Sequence, residues 1–377
     1  MANYMIIIDG LGEDQSYSHR LNEKINSLPY FSQIISHSKQ GLFDNSVVNM
    51  PIDSFTCIST LLGVDLSSIN GGRAYFEALA ENIPIEDNDL ILRCNLVTLE
   101  QEKLISTSGY KLSNEQIKVI FESVIKEINC EEIKIYYVGD YKGIVVLKNS
   151  KLLKDSLKLF PPHQNIGKNF DELLPLGNTI ATKLLDIIKL SRKIADKEMG
   201  KLKYNYCLSF WGASYKTKFP KFSELSDKKT ALIVGTQIAK GIGKALCLDV
   251  LTDETMTGDS NTSLENKANY AVSNKNNYEN IIVHINATDE IAHRRNFDEK
   301  LEFLEKIDDL LIRKIIENID DNDKILICSD HGTSSATGAH IEDYPPFWLY
   351  KKGGQKVCLN KVLSGINAIK LLNECEE

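Results

Sequence analysis

Lys324 to His340 reads KILICSDHGTSSATGAH. Ile325, Leu326 and Ile327 form a short apolar run of the kind that makes a buried strand, and it stops abruptly at Ser329-Asp330-His331-Gly332. A strand that ends this way delivers a carboxylate and an imidazole together. Nine residues beyond His331, a second histidine, His340, closes a loop of small and hydroxyl residues before Pro345-Pro346 leads into the apolar FWLY. By itself this is as compatible with a hydrogen-bonded turn as with a metal site, so the weight falls on the residues upstream.

The same pattern recurs twice. Tyr4 to Ile8 is a strand candidate that stops at Asp9-Gly10-Leu11-Gly12, and Ile281 to Ile285 ends in Asn286-Ala287-Thr288-Asp289-Glu290-Ile291-Ala292-His293. Open parallel sheets place their ligands outside the carboxyl ends of their strands. Asp289 and His293, four residues apart, share one face of a helical turn and form a good chelate. With His340 they offer two imidazoles and a carboxylate, the ligands of a borderline divalent cation such as zinc or manganese. Asp9, Ser54, Asp330 and His331 offer a second, more oxygen-rich set. His284, inside its strand, reads as a packed or supporting residue.

Ser54 lies in Asn49-Met50-Pro51-Ile52-Asp53-Ser54-Phe55-Thr56, where Pro and Asp precede an apolar-periodic run that ends at Gly63. The pattern predicts a helix that starts at or near Ser54, whose free amides and positive dipole end suit a phosphoryl group. A plain capping serine would look the same. Thr56 is the rival hydroxyl, but two residues along a helix turn it about 200° away.

Between these motifs the texture changes. From about residue 89 to 205, short strands (133–138, 143–147) alternate with lysine-rich amphipathic helices (114–128, 180–195), and clusters of chemical groups vanish. The expected organisation is a core of residues 1–88 and 206–377 interrupted by an inserted α+β cap of residues 89–205. Around the insertion, strands separated by helices predict an α/β core, a doubly wound, mostly parallel sheet with helices on both faces.

Bulk properties narrow the function. The chain has 377 residues, 42% hydrophobic and 25% charged, as in an ordinary globular protein. A net charge of -8 without a long Lys/Arg block argues against a general nucleic-acid binder. No window approaches the ~20 apolar residues of a membrane span, and MANYMIIIDG has no basic leader, so the expected location is the cytoplasm. Eight cysteines without CxxC pairing, with Cys94, Cys207, Cys247 and Cys328 among apolar neighbours, read as reduced core residues. Nothing in the sequence specifies an oligomeric state.

Taken together, Asp9-Gly10, Leu61-Leu62-Gly63, Gly72-Arg73 with Glu77-Ala78, Arg93-Cys94-Asn95-Leu96-Val97-Thr98, Thr257-Gly258 with Asn261-Thr262, Asp289-Glu290 with His293, and Asp330-His331 with Thr333 and His340 resemble the archaeal-type cofactor-independent phosphoglycerate mutases of the alkaline phosphatase superfamily. The likeness covers nearly the whole chain, including the spacing of Lys300, Glu305 and Asp308. It implies an alkaline phosphatase-like core and a small phosphorylated substrate. It also implies that Ser54 is the nucleophile, that Asp289, His293 and His340 hold one metal, and that Asp9, Ser54, Asp330 and His331 hold the other. The pair would be manganese, with zinc or cobalt as alternatives, and Arg73, Arg93 and Lys267 would contact the substrate's phosphate or carboxylate. The implied reaction interconverts 2- and 3-phosphoglycerate through a phosphoserine. The chain departs from the family at Asp53-Ser54-Phe55, where Gly-Ser-Asp is usual, and at Ile58, where a histidine is usual. A metal-dependent phosphatase, or a phosphomutase with another substrate, therefore stays open.

Overall fold

A computed structural model describes residues 2–69, 72–128, 130–200 and 203–374; Gly71 of the Gly71-Gly72-Arg73 run lies outside them. The chain divides into two compact units, Met1–Ile69 with Phe219–Glu377, and Asn70–Lys218.

The first unit is built on an eight-stranded sheet. In chain order its strands are β1 (Asn3–Ile8), β2 (Ser38–Asp44), β3 (Thr230–Ile233), β4 (Asp249–Leu251), β5 (Asn280–Ile285), β6 (Lys324–Cys328), β7 (Pro346–Lys351) and β8 (Val357–Ser364). Across the sheet they run β4-β3-β5-β1-β6-β7-β2-β8. Only β7 runs against its neighbours, pairing antiparallel with β6 and β2, so the sheet is mostly parallel as expected. Every residue of β1, β5 and β6 is buried, which is why these strands read as unbroken apolar runs rather than alternating ones. Their register (Ile8 opposite Ile285, Ile7 opposite Cys328) brings three carboxyl ends level with one another.

Four helices carry or brace the groups gathered at those ends: α1 (Ser54–Leu61), α2 (Leu264–Ser273), α3 (Ala287–His293) and α4 (Phe297–Lys306). The core on one sheet face joins Tyr4, Ile6 and Ile8 to Phe31, Ile34, Phe303, Leu304 and Leu311.

The second unit is a five-stranded antiparallel sheet centred on Leu90–Glu100, which pairs with Lys103–Ser106, Lys142–Leu147 and Asn205–Tyr215. The amphipathic helices Asn114–Glu127 and Thr179–Met199 bury Ile117, Ile120, Phe121, Leu184 and Ile188 in its core. Ser113 and Gln116 close a reciprocal capping box at the first of these. The unit starts at residue 70 and ends at 218, wider than the expected 89–205. The difference arises because the helix Arg73–Ala80 packs on Leu90–Glu100 and Asn205–Tyr215, and the last of these strands runs ten residues beyond 205.

Among the described residues no helix is long and apolar enough to cross a membrane. Cys94, Cys207 and Cys328 are buried free thiols, whereas Cys247 is exposed, at a left-handed turn just after the helix Gln237–Ala245. Sequence neighbours could not show that the chain leaves the core at this point.

Ile6 sits fully buried between Val283 and Ile327 at the centre of the large sheet. Ile6→Ala should lower the unfolding free energy by roughly 2–5 kcal/mol, measured by urea denaturation. A loss below about 1 kcal/mol would contradict this packing.

Candidate active site and metal centre

Because β5, β1 and β6 are adjacent and parallel, the residues that follow them meet at one edge of the sheet. Asp9 follows β1, Asp330-His331 follows β6, and Asp289 lies on α3, which follows β5. Close approach is enforced at Gly10, whose φ is +66°. A Cβ there would lie 2.7 Å from the Asp289 Cα and 2.9 Å from Thr333 Oγ1, so only glycine fits.

The first set is fully buried. Asp330 Oδ1 accepts from the amides of His331 (2.8 Å) and Gly10 (3.3 Å), and Asn45 Nδ2 donates to the Asp330 carbonyl (2.6 Å). Asp9 Oδ2 lies 3.2 Å from His284 Nε2. The remaining atoms are informative: Asp9 Oδ1, Asp330 Oδ2 and His331 Nε2 are buried with no hydrogen-bond partner. They converge, with His331 Nε2 3.4 Å from Asp9 Oδ1 and 3.6 Å from Asp330 Oδ2. Burial, followed by repulsion from Asp330 and Asp289, pushes the Asp9 carboxyl well above the usual range; burial also raises Asp330. Lone pairs gathered without donors are what a cation would satisfy.

The second set is half open to solvent. His293 Nδ1 faces the Gly338 carbonyl at 2.8 Å and His340 Nδ1 faces that of Ile52 at 2.6 Å. Backbone carbonyls can only accept, so both Nδ1 atoms carry a proton and Nε2 is the atom of each ring that would turn to a cation. The two Nε2 atoms lie 3.2 Å apart, at 3.2 and 3.7 Å from Asp289 oxygens. Thr333 Oγ1 donates to Asp289 Oδ1 at 2.5 Å. Burial alone would raise Asp289, but His293, His331 and Thr333 bring it down to about 2, and His293 is held up at about 9 chiefly by its bond to Asp289. The donor chemistry of both sets fits divalent metal.

His331 does not belong cleanly to one set. It also groups with Asp289 and His340, its ring 4.1 Å from that of His340, while His284 groups with Asp9 and Asp330. The contact to Asp9 Oδ2 makes His284 a holder of that carboxylate, since it leaves Asp9 Oδ1 bare for a ligand role. Burial and then the charge of Lys267 keep the His284 imidazole neutral, its pKa lowered to about 3.

Asp53, not Ser54, caps α1, its side chain accepting from the Thr56 amide at 2.9 Å. Ser54 is thus released from a capping role, and its hydroxyl lies near enough to the Asp9 carboxyl to pull that group's raised pKa slightly down. Thr56 is fully buried and its Oγ1 has no partner. A cavity of about 350 Å³ bordered by Asn45, Met50, Ile52, Cys57, Asp330 and His331 opens beside the buried set.

The three expected substrate contacts divide. Arg73 and Arg93, in the second unit, share Glu77, with Nε to carboxylate distances of 3.1 and 2.9 Å. Lys267 is only 1% exposed, and its Nζ donates to the His284 carbonyl at 2.9 Å, so it faces the interior rather than a ligand in solvent. Its α2 context of apolar residues at helical spacing was the only warning. Sequence reading also missed Glu13. Fully buried, Glu13 pairs with Lys300 Nζ at 2.8 Å, and Lys300 also donates to the carbonyls of Gly12 (3.1 Å) and Thr333 (3.2 Å). That ion pair ties the loop after β1 to the loop after β6, a connection no spacing rule encodes.

Fold and site together define an α/β enzyme with candidate metal-binding groups and a serine at a helix start, an arrangement suited to phosphoryl transfer. Residues 36–199 match the family described as 2,3-bisphosphoglycerate-independent phosphoglycerate mutase. A protein of that name from Saccharolobus islandicus is 30% identical over 372 residues, spanning 92% of this chain and 87% of the relative. One from Methanosarcina barkeri is 29% identical over 334 residues, spanning 86% and 83%. Among solved structures, the PH0037 protein from Pyrococcus horikoshii has a TM-score of 0.74 at 20% identity over 100% of this chain and 98% of that one. The cofactor-independent phosphoglycerate mutase from Thermoplasma acidophilum has a TM-score of 0.62 at 20% identity over 98% of each. The chain belongs to the 2,3-bisphosphoglycerate-independent phosphoglycerate mutase family.

Lys267 gives a stability test with a definite sign. Burial, reinforced by Lys240, lowers its pKa from the ordinary lysine value to about 7. Between pH 7 and about 10.5 the unfolded chain binds the proton and the folded one does not. Its contribution to stability therefore falls as pH drops from about 10.5 to 7, then stays constant. Lys267→Met should gain stability relative to wild type progressively over that window, read by thermal melts at pH 10, 8.5 and 7. A difference that does not change with pH would show that the ammonium is not held neutral.

Proposed function

We propose that this protein is a metal-dependent phosphoglycerate mutase that interconverts 2- and 3-phosphoglycerate through a phosphoserine at Ser54. The observation that carries the reading is the trio of buried atoms without donors, Asp9 Oδ1, Asp330 Oδ2 and His331 Nε2, beside the cluster of Asp289, His293 and His340, with Ser54 near Asp9. Two divalent cations, manganese best matching the mixed oxygen and imidazole donors and zinc or cobalt next, would supply charge neutralisation of the phosphoryl oxygens and acidify the serine.

The chain's own residues do the rest. Asp53 caps α1, so the Ser54 hydroxyl is free to turn to Asp9, and the positive end of the helix dipole favours the incoming anion. Ser54 Oγ forms the new O–P bond as the bond from phosphorus to the substrate's C2 or C3 oxygen breaks, and the serine proton passes to that oxygen. The other hydroxyl of the bound glycerate then attacks phosphorus, the bond from phosphorus to Ser54 Oγ breaks, and that hydroxyl's proton passes to Oγ. Ser329 Oγ, Asn45 and Thr333 hold the ligand loops still while this happens. Arg73 and Arg93 are the proposed contacts to the substrate's anionic groups. Lys267 enters through His284, whose carbonyl it holds while the imidazole holds Asp9.

Ser54→Ala should lower turnover at least about a thousandfold while leaving metal content and fold intact. Chelation should abolish wild-type activity and added Mn²⁺ should restore it. Following 2- and 3-phosphoglycerate together with free phosphate decides the reaction class. Interconversion without phosphate release supports the mutase, and release alone would make the protein a phosphatase. Normal turnover in Ser54→Ala, or full activity in metal-free protein, would overturn the proposed chemistry.

A further inference from the structure

Asp9, Asp330 and His331 are closed off from solvent, each 1% exposed or less, yet their bare atoms converge. A cation cannot cross an apolar core without losing its hydration, so a set this deep needs a polar way in. The cavity of about 350 Å³ beside it is placed to be one. Its inner wall is Asp330 and His331, the residues whose Oδ2 and Nε2 are buried without a hydrogen-bond partner. Asp289, His293 and His340 do not border it.

Strand direction explains what stands at the mouth. β7 runs antiparallel to β2, with Pro346 opposite Leu42, so the end of β2 and the segment before β7 share one edge of the sheet. The Phe43 amide donates to the Pro345 carbonyl at 2.9 Å and holds that segment in place. Asp44, Glu342 and Asp343 are thereby brought to the same cavity, and among the described residues no lysine or arginine borders it. Asp44 Oδ1 accepts from the Ser46 amide (3.0 Å) and hydroxyl (2.6 Å), and Asp343 Oδ1 accepts from the Tyr344 amide (2.7 Å). Glu342 and Asp343 are exposed, and Glu342 has no hydrogen bond or ion pair among the described residues. Six waters at ~30 Å³ each fill about 180 Å³. The cavity therefore admits a divalent cation with its hydration shell intact.

We infer that this cavity is the entry vestibule of the buried metal set, in which Asp44, Glu342 and Asp343 collect a hydrated divalent cation and pass it inward to Asp330 and His331. The inference rests on the metal-dependent reading and extends it to three carboxylates that no motif marked and that take no part in the chemistry on substrate. Carboxylates at a wide mouth hold a hydrated cation through its waters, which keeps it exchangeable. Ile52 and Pro345 complete the wall and offer no ligand, so the donors that remain for a dehydrating ion lie at the inner end. A cleft lined by one sign of charge raises the local concentration of counter-ions and hence their association rate, and added salt screens the effect.

The probe is Co²⁺ added to metal-free full-length protein, with uptake followed by stopped-flow visible absorbance. In a His293→Ala/His340→Ala background, which leaves the buried set alone, Glu342→Gln/Asp343→Asn should slow association about tenfold at low salt, and Glu342→Lys/Asp343→Asn should slow it further. The release rate, read by chelator competition, should stay within about twofold, and the difference in association should shrink as salt rises. If the background does not fold, the same substitutions in the otherwise wild-type chain should slow uptake of one metal equivalent and spare the other. Unchanged association, an equal effect on both equivalents, or an effect confined to release overturns the inference, the last because it would make the acids ligands of the bound metal. Absence of cobalt uptake by the wild-type chain would overturn the metal-dependent reading as well, whereas uptake that the substitutions do not slow removes the vestibule alone.

Discussion

Three aspartates, Asp9, Asp289 and Asp330, are buried together where three neighbouring strands end, and Asp9 lies in the field of both others. Removing carboxylates from water costs several kcal/mol each unless charge or donors compensate them. Here donors compensate only part of each group. Two amides take one oxygen of Asp330, His284 takes one oxygen of Asp9, and Thr333 takes one oxygen of Asp289. The opposite oxygens of Asp9 and Asp330 are left without donors. Bare buried oxygens of this kind are what a cation would compensate.

The scaffold around them resists the collapse or swelling that such repulsion invites. The Glu13–Lys300 pair, fully buried, ties the loop after β1 to that after β6. Glu13 also accepts from the Ser335 amide at 2.8 Å, which holds the loop leading to His340. Breaking a buried pair of this kind leaves an uncompensated charge, so the two residues depend on each other more than either helps folding. Thr288 binds the Asp9 carbonyl through its hydroxyl, and Gly10 lets the turn sit against Asp289. The candidate ligands are thus held by backbone as much as by side chains.

The second unit solves a different problem with the same economy. An arginine cannot give up its charge, so its orientation must be fixed while its fork stays open. Trp211 supplies the flat face and Glu77 takes the inner nitrogen.

How much of this could be read from the chain depends on whether the determinant was local. The apolar runs before Asp9, Asp289 and Asp330 fixed three parallel strands because burial on both faces demands unbroken hydrophobic residues. The i,i+4 spacing of Asp289 and His293 put both side chains on one face because helix geometry allows little else. Helices such as Asn114–Glu127 announced themselves by their period. Contacts between residues far apart in the chain were left open by the sequence alone. Glu13 with Lys300, His284 with Asp9, Lys267 with a carbonyl, and His163 with Trp211 and Arg93 carry no spacing signal, because each partner is set by strand order and by the crossing of elements. The unit boundary at 70 rather than 89 has the same cause, since a helix joins whichever sheet buries its apolar face. Local chemistry chose the ligands, whereas the tertiary structure decided which of their atoms stay bare, and that depends on where every neighbouring donor comes to rest.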